Sequence, residues 1–166
     1  MTSAPEGATA SKIAPCLWYD GEAEEAARFY VSLLADSGID HVQRNPVDGP
    51  AGKAGGVLVV EFHLAGRRFL ALNGGMKVPY SHALSLAITC EDQAEIDRLW
   101  DGLLANGGRP ERCGWLNDRW GVPWQIVPRA LYELLADPAR APRVMQALLG
   151  MVKIDIAGLR RAADGG

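Results

Sequence analysis

Hydrophobic positions change their period along this chain, and the changes come twice in the same order. Ile13-Ala14-Pro15-Cys16-Leu17-Trp18-Tyr19 is a short apolar run that predicts a strand, and an acidic turn, Asp20-Gly21-Glu22, follows it. Ala26, Phe29, Tyr30, Leu33 and Leu34 then fall at helical spacing. They predict a helix over 22–35 with Asp20 as its cap, acids in its first turn and Gly38 just past its end. Residues 41–46 read as a second strand, and 47–56, dense in Gly and Pro, as a mobile loop at the mouth of whatever the sheet encloses. Two further runs, 57–64 and 67–73, flank Ala65-Gly66 at the spacing of a tight hairpin. With a two-residue turn, Phe62 faces Phe69, Val60 faces Ala71 and Leu58 faces Asn73, all on one face.

The second pass begins with an apolar strand over 83–89 and the acidic pair Glu91-Asp92. Ile96, Leu99, Trp100, Leu103 and Leu104 predict a helix over 92–105, with Glu95 completing a capping box and Asn106-Gly107-Gly108 as the stop. Asp20 and Glu91, Phe29 and Trp100, and Leu33 and Leu104 are all separated by about 71 residues, a module length. Short strands are expected at 109–113, 115–117 and 123–127, by analogy with the first copy. Beyond Pro128 only helical periods remain, over 131–136, 143–149 and 156–162. These helices read as a cover for apolar surface or as a dimer contact.

A chain of 166 residues fits one compact domain, so the two copies are expected to share a core. The expected organisation is a loose tail over 1–11, a domain over 12–128 built of modules 12–75 and 82–128, and a helical extension over 129–166. A net charge of -3 points away from nucleic acid, which draws clustered Lys and Arg. No apolar run approaches the length of about 18 to 20 residues that spans a bilayer, and 1–11 lacks a signal core, which predicts a cytoplasmic protein without a membrane partner. Cys16, Cys90 and Cys113 are odd in number and widely spaced, as reduced thiols are.

Candidate chemistry is sparse. The stretch Gly49-Pro50-Ala51-Gly52-Lys53-Ala54-Gly55-Gly56 has too few residues before its Gly-Lys pair for a phosphate loop, and a strand follows it where a helix is needed. Glu61 and His63 lie two apart on one strand, half of a metal site at most, and point away from the Phe62 face. Cys113 follows Arg112, whose guanidinium could depress a thiol pKa, but a packed thiol is the expectation. Trp115, Trp120 and Trp124 cluster with Asp118, Gly121, Pro123 and Gln125, a mixture suited to lining a small-molecule pocket and equally to packing a loop.

Several ordered segments resemble one family. Ala71-Leu72-Asn73-Gly74-Gly75, Leu84-Ser85-Leu86 leading to Thr89-Cys90-Glu91-Asp92-Gln93, Asp97-Arg98-Leu99-Trp100, and Cys113-Gly114-Trp115-Leu116 through Asp118, Gly121 and Trp124-Gln125 are similar to the PhnB-like branch of the vicinal-oxygen-chelate superfamily. That superfamily includes glyoxalase I, extradiol dioxygenases and bleomycin-resistance proteins. The resemblance implies an α+β fold of two βαβββ modules forming a cupped sheet. It places the family's metal-ligand positions near Pro15 and at Ala71, Ser85 and Gln125, of which only Gln125 is a plausible ligand, so no metal and no cofactor are expected. Members of this branch often carry the description 3-demethylubiquinone-9 3-methyltransferase, yet neither strand-to-helix turn here is the glycine-rich kind that holds S-adenosylmethionine. The expected function is therefore binding of a small organic ligand by a homodimer. Phe62 and Phe69 would form apolar walls, Asn73, Ser85 and Gln125 would supply hydrogen bonds, and Trp115 and Trp120 would close the mouth. The rival expectations are an enzyme, either glyoxalase- or dioxygenase-like or a methyltransferase, and a dimer whose cup is vestigial.

Overall fold

The structure is a computed structural model and describes residues 12–166; the expected tail over 1–11 lies outside the described residues. The chain divides between Val78 and Pro79 into two compact units.

In the first unit, β1 (Cys16–Tyr19) leads into α1 (Ala23–Leu33), then β2 (Gly38–Arg44), β3 (Val57–Leu64) and β4 (Arg67–Asn73). The sheet order is β1-β4-β3-β2, with β1 parallel to β4 and the other pairs antiparallel. The β3–β4 hairpin has the expected register: Leu64 pairs with Arg67, Phe62 with Phe69 and Val60 with Ala71. Ala65 and Gly66 both have positive φ, as a two-residue turn matched to strand twist requires.

Alternation then sorts the side chains. Val60, Phe62, Leu64, Phe69, Ala71 and Asn73 are buried on one face, and α1 packs against the sheet with Ala23, Ala26, Ala27 and Tyr30 buried. Three alanines let the helix axis come close to the strands, and each fully buried large side chain such as Phe62 contributes about 1.5–3 kcal/mol. The other face carries Trp18, Val59, Glu61, Leu70 and Leu72, all half-buried.

Two expectations about α1 are corrected. Asp20 does not cap it; Asn73 does, its Oδ1 accepting from Ala23 N at 2.9 Å and Gly21 N at 3.1 Å while its Nδ2 donates to Val57 O. The stop comes before Gly38, which begins β2; Asp36 takes the left-handed conformation (φ 50°), one that a short polar side chain tolerates. The 47–56 loop is pinned: Gly49 and Gly52 form a β-bridge, and Asp48 accepts from Ala54 N and Lys53 Nζ. Gly74 has no room for a side chain, since a Cβ there would sit 1.8 Å from the Trp18 ring, whose Nε1 donates to Met76 O at 2.7 Å.

The second unit repeats the topology. β5 (Leu86–Cys90), α2 (Gln93–Leu104), β6 (Arg109–Pro110), β7 (Trp115–Asn117) and β8 (Pro123–Pro128) form a sheet of order β5-β8-β7-β6, again with the first and last strands parallel. Asp92 caps α2 by accepting from Glu95 N at 2.8 Å. Glu95 reaches back one residue further than a strict capping box, accepting from Glu91 N. Ile96, Leu99, Trp100 and Leu103 of α2 are buried, as are Leu116, Trp124 and Ile126 of the sheet.

Three helices complete this unit: α3 (Arg129–Leu135), α4 (Ala141–Leu149) and α5 (Ile156–Asp164). Val127, Leu131, Val144, Leu148, Ile154, Leu159 and Ala163 form one buried cluster, so the helices bury the end of β8 as a core of their own. Gln93 ties them to α2, donating to Ile154 O and accepting from Ile156 N. Gly114 (φ +81°) lets the β7 approach pass under Ile154, whose Cδ1 would lie 2.7 Å from any Cβ placed there. No described helix is long and apolar enough to cross a membrane.

Candidate functional site

The helix in each unit covers one face of its sheet, which leaves the opposite face for chemistry. In the second unit that face is set by the register of β7, β8 and β5: Trp115 and Ala87 both stand beside Gln125. Trp124 and Ile126, at alternate positions of β8, are buried with α2 instead. Ser85 lies just before β5 and reaches the same point, with Gln125 Nε2 donating to Ser85 Oγ at 2.8 Å. Two expected site residues from strands 40 positions apart therefore meet, and Trp115 is their neighbour.

A second group adjoins Trp115. The His82 ring lies edge-on to the Trp115 indole, centroids 5.4 Å apart, and His82 Nε2 is 2.8 Å from Glu111 Oε2. Glu111 also accepts from Asn117 Nδ2. Asn117 is buried and shares the Trp115 face by alternation. Glu111, Asn117 and His82 are not among the site residues expected from the sequence. The alternation of Trp115 and Asn117 in β7 was the available signal. The pairing with His82 bridges 29 residues of chain with no local pattern to mark it.

Val127 lies two positions beyond Gln125 on the same face and is covered by the C-terminal helices, which thus close one end of that face beside Gln125. Trp120 sits in the β7–β8 turn with the Arg119 guanidinium 4.1 Å from its ring centre. Asp118 organises that turn: Oδ1 accepts from Trp120 N and Val122 N, and Oδ2 from Trp124 Nε1 at 2.9 Å.

The remaining expected site residues are placed elsewhere. Phe62 and Phe69 stack with centroids 5.5 Å apart, but on the helix-covered face, and are 0% and 8% exposed. Their expected role as walls of an open cavity is corrected by that burial. Asn73, 4% exposed, spends its amide on capping α1 and on Val57 O. Ala71, aligned with a ligand position, also faces the helix. Comparing the two parallel registers shows why. Ala87 pairs with Gln125, and its counterpart about 71 residues earlier, Cys16, pairs with Leu70. The first-unit equivalents of Ser85 and Gln125 are thus Ala14 and Leu70. Polar groups at these positions belong to the second unit alone.

One hydroxyl and one amide, bonded to each other, are neutral and weak donors, and a divalent cation held by protein wants carboxylates, imidazoles or thiolates. These residues do not fit a metal. Among the described residues no three His, Cys, Asp or Glu side chains cluster as ligands. Glu61 pairs with Arg68 and His63 with Asp40, each at 2.8 Å. Burial pushes the Cys90 thiol up to about 12 and raises that of Cys16, so neither is an activated nucleophile. Two hollows of about 470 and 460 Å³ lie among helix ends of the second unit. Several of their polar groups are already engaged: Arg143 donates to Ala162 O and Ala163 O, and Asp92 and Asp155 cap their own helices.

Comparison with known proteins agrees with this architecture. The family described as 3-demethylubiquinone-9 3-methyltransferase matches residues 11–127, ending where the three-helix extension begins. A solved Bacillus cereus protein with the same description, called PhnB protein, is 35% identical over 71% of this chain and 99% of its own, with a TM-score of 0.63. Protein PA1353 from Pseudomonas aeruginosa is 19% identical over 70% of this chain and 96% of its own (TM-score 0.59). The fosfomycin resistance protein FosX from Mesorhizobium loti is 15% identical over 81% and 100% (TM-score 0.54). At such identities the last two show the fold alone. No curated protein matches the chain. With its duplicated βαβββ units and a match over most of its length, the chain belongs to the PhnB-like 3-demethylubiquinone-9 3-methyltransferase family of the glyoxalase fold.

Proposed function

We propose that this protein binds a small organic molecule on the open face of its second unit, without a protein-bound metal. The observation that carries the reading is the Ser85–Gln125 pair, a half-buried polar contact that bridges two strands beside an aromatic ring on the face that no helix of its own module covers. Aromatic surface with a few placed polar groups is the usual make-up of a small-molecule site. Trp115 supplies an aromatic surface, and His82, Glu111 and Asn117 fix its far side. Trp120 is proposed as a flanking aromatic of the same site. A homodimer in the cytoplasm remains the expected setting.

The test is retention. Protein purified from its host, then denatured, should release a compound that is missing from a Ser85→Ala/Gln125→Leu variant purified in parallel. Identical small-molecule profiles from the two proteins would refute the reading.

The family description favours a second reading, methyl transfer from S-adenosylmethionine. Among the described residues neither module helix offers a free N-terminus to a phosphate or an adenosine: that of α1 is taken by Asn73 and that of α2 by Asp92. Calorimetry with S-adenosylmethionine decides this, and saturable heat at a 1:1 ratio would establish the second reading over the first.

A further inference from the structure

Resting on that reading, we infer that the segment from Pro79 to Ser85 is a lid over the proposed site, latched across the sheet by His82 on Glu111 and Trp115, and that release of this latch admits and frees the ligand. The register of the sheet fixes where the segment lies. Ala87, Gln125 and Trp115 stand side by side on β5, β8 and β7, and Glu111 adjoins Trp115, its N–H donating to Trp115 O at 2.8 Å. Crossing from β5 to β7 takes two strand spacings, about 10 Å. Ser85, next to the start of β5, meets Gln125, while His82, three residues earlier, has its ring against Trp115 and its Nε2 on Glu111. Three residues of fully extended chain reach about 10 Å at most, so a segment that makes both contacts passes over β8 on this face. It crosses at Gln125, where the ligand is proposed to sit.

The segment is held less firmly than the frame beneath it. Ser81 to Leu84 form a turn whose two bonds are long, Ala83 N to Ser81 Oγ at 3.4 Å and Leu84 N to Ser81 O at 3.5 Å, and all four residues are exposed. The latch is open to water as well, since the His82 side chain is 56% exposed, and ion pairs of that exposure contribute little. Glu111, in contrast, is fixed twice, by its N–H on Trp115 O and by its carboxylate, which accepts from the buried Asn117. The segment therefore moves and the frame stays. Gln125 and Trp115 are half-buried with the latch closed, and its release uncovers both. A lid of this kind keeps water from a bound ligand and sets how fast the ligand leaves.

The test follows the NMR signals of the Gln125 side-chain amide and the Trp115 indole N–H in the full chain while a neutral gadolinium chelate is added. Relaxation of both signals by the chelate should rise about threefold or more in His82→Ala, and His82→Gln, whose amide can still donate to Glu111, should stay within about twofold of wild type. Exposed amides of the first unit, the internal reference, should not change, and the melting temperature should not either, because His82 lies at the surface. In protein purified from its host, the retained compound should leave His82→Ala about threefold faster or more on dialysis. Equal relaxation in wild type and His82→Ala would overturn the lid, whatever the protein retains. A compound that leaves both proteins at one rate would overturn the gating and spare the binding reading. A rise in relaxation in a protein whose wild type retains no compound dependent on Ser85 and Gln125 would refute the binding reading, and the gating with it.

Discussion

Replacing Asn73 by Ala should damage the first unit's fold and leave ligand binding by the second unit intact. In the structure one side chain satisfies two backbone donors at the start of α1 and one carbonyl of β3. Gly21 is exposed and its N–H returns to water, but Ala23 is fully buried and Asn73 itself is 4% exposed. Loss of the cap, which leaves the buried Ala23 N–H without its acceptor, costs about 1–2 kcal/mol, and leaving the Val57 carbonyl without its donor about 1 kcal/mol more, giving roughly 2–3 kcal/mol. With a urea m-value of about 1–2 kcal/mol/M, the midpoint should fall by about 2 M. Urea titration by far-UV circular dichroism, with hydrogen exchange of the α1 amides as the local probe, measures this. Asn73→Asp keeps both cap acceptors and places a negative charge at a helix N-terminus, but it also turns a buried carboxylate oxygen toward Val57 O, so it should lower overall stability while the α1 amides stay protected. A midpoint within about 0.3 M of wild type for Asn73→Ala, or α1 amides that exchange as fast in Asn73→Asp as in Asn73→Ala, would refute the capping argument.

Other outcomes follow from the same contacts. Ile154→Ala should lower stability by about 2–4 kcal/mol by opening the cluster that joins the C-terminal helices to β8, and truncation after Pro128 should expose Val127 and aggregate or unfold the second unit, both read by thermal melts. Gly74→Ala should displace the Trp18 ring, seen as a shift of its indole N–H signal, because the added methyl would fall inside it. Lys153 and then Gln93 hold the Asp97 carboxyl below its ordinary value, so that contribution is present above the unfolded carboxylate pKa and is lost as pH falls through the lowered one. Asp97→Asn should accordingly flatten the decline in urea midpoint as pH falls below the ordinary carboxylate range. In the native protein at pH 8 a thiol reagent should spare Cys90, which is buried and raised to about 12, until urea unfolds the chain.

Local pattern carried much of this fold. The hairpin register could be derived because alternation and a two-residue turn fix it within the segment itself, and α2 because its cap, Asp92, lies next to it in sequence. The cap of α1 could not: its acceptor comes from Asn73, 50 residues away. Alternation also fixed which residues share a face without fixing which face meets the helix, since Val59, Leu70 and Leu72 make the opposite face of the first sheet nearly as apolar as the Phe62 side. That is why Phe62, Phe69 and Asn73 were assigned to a cavity and belong to the core. Ser85 and Gln125 came to notice through the family resemblance, which aligns them with ligand positions, and Trp115 through the clustering of tryptophans with Asp118, Gly121 and Pro123. Glu111 and Asn117, which meet each other and His82, were not legible, because polar residues around a two-residue edge strand resemble any loop.

The most direct test of the whole account is a crystal structure of the protein as purified, without added ligand. Density is expected for a small organic molecule over Trp115, within hydrogen-bonding distance of both Ser85 and Gln125, with no metal at that point. Ordered water alone at Ser85 and Gln125, with a small molecule bound instead in the hollow lined by Arg143 and Ala162 or beside Asp155, would contradict it.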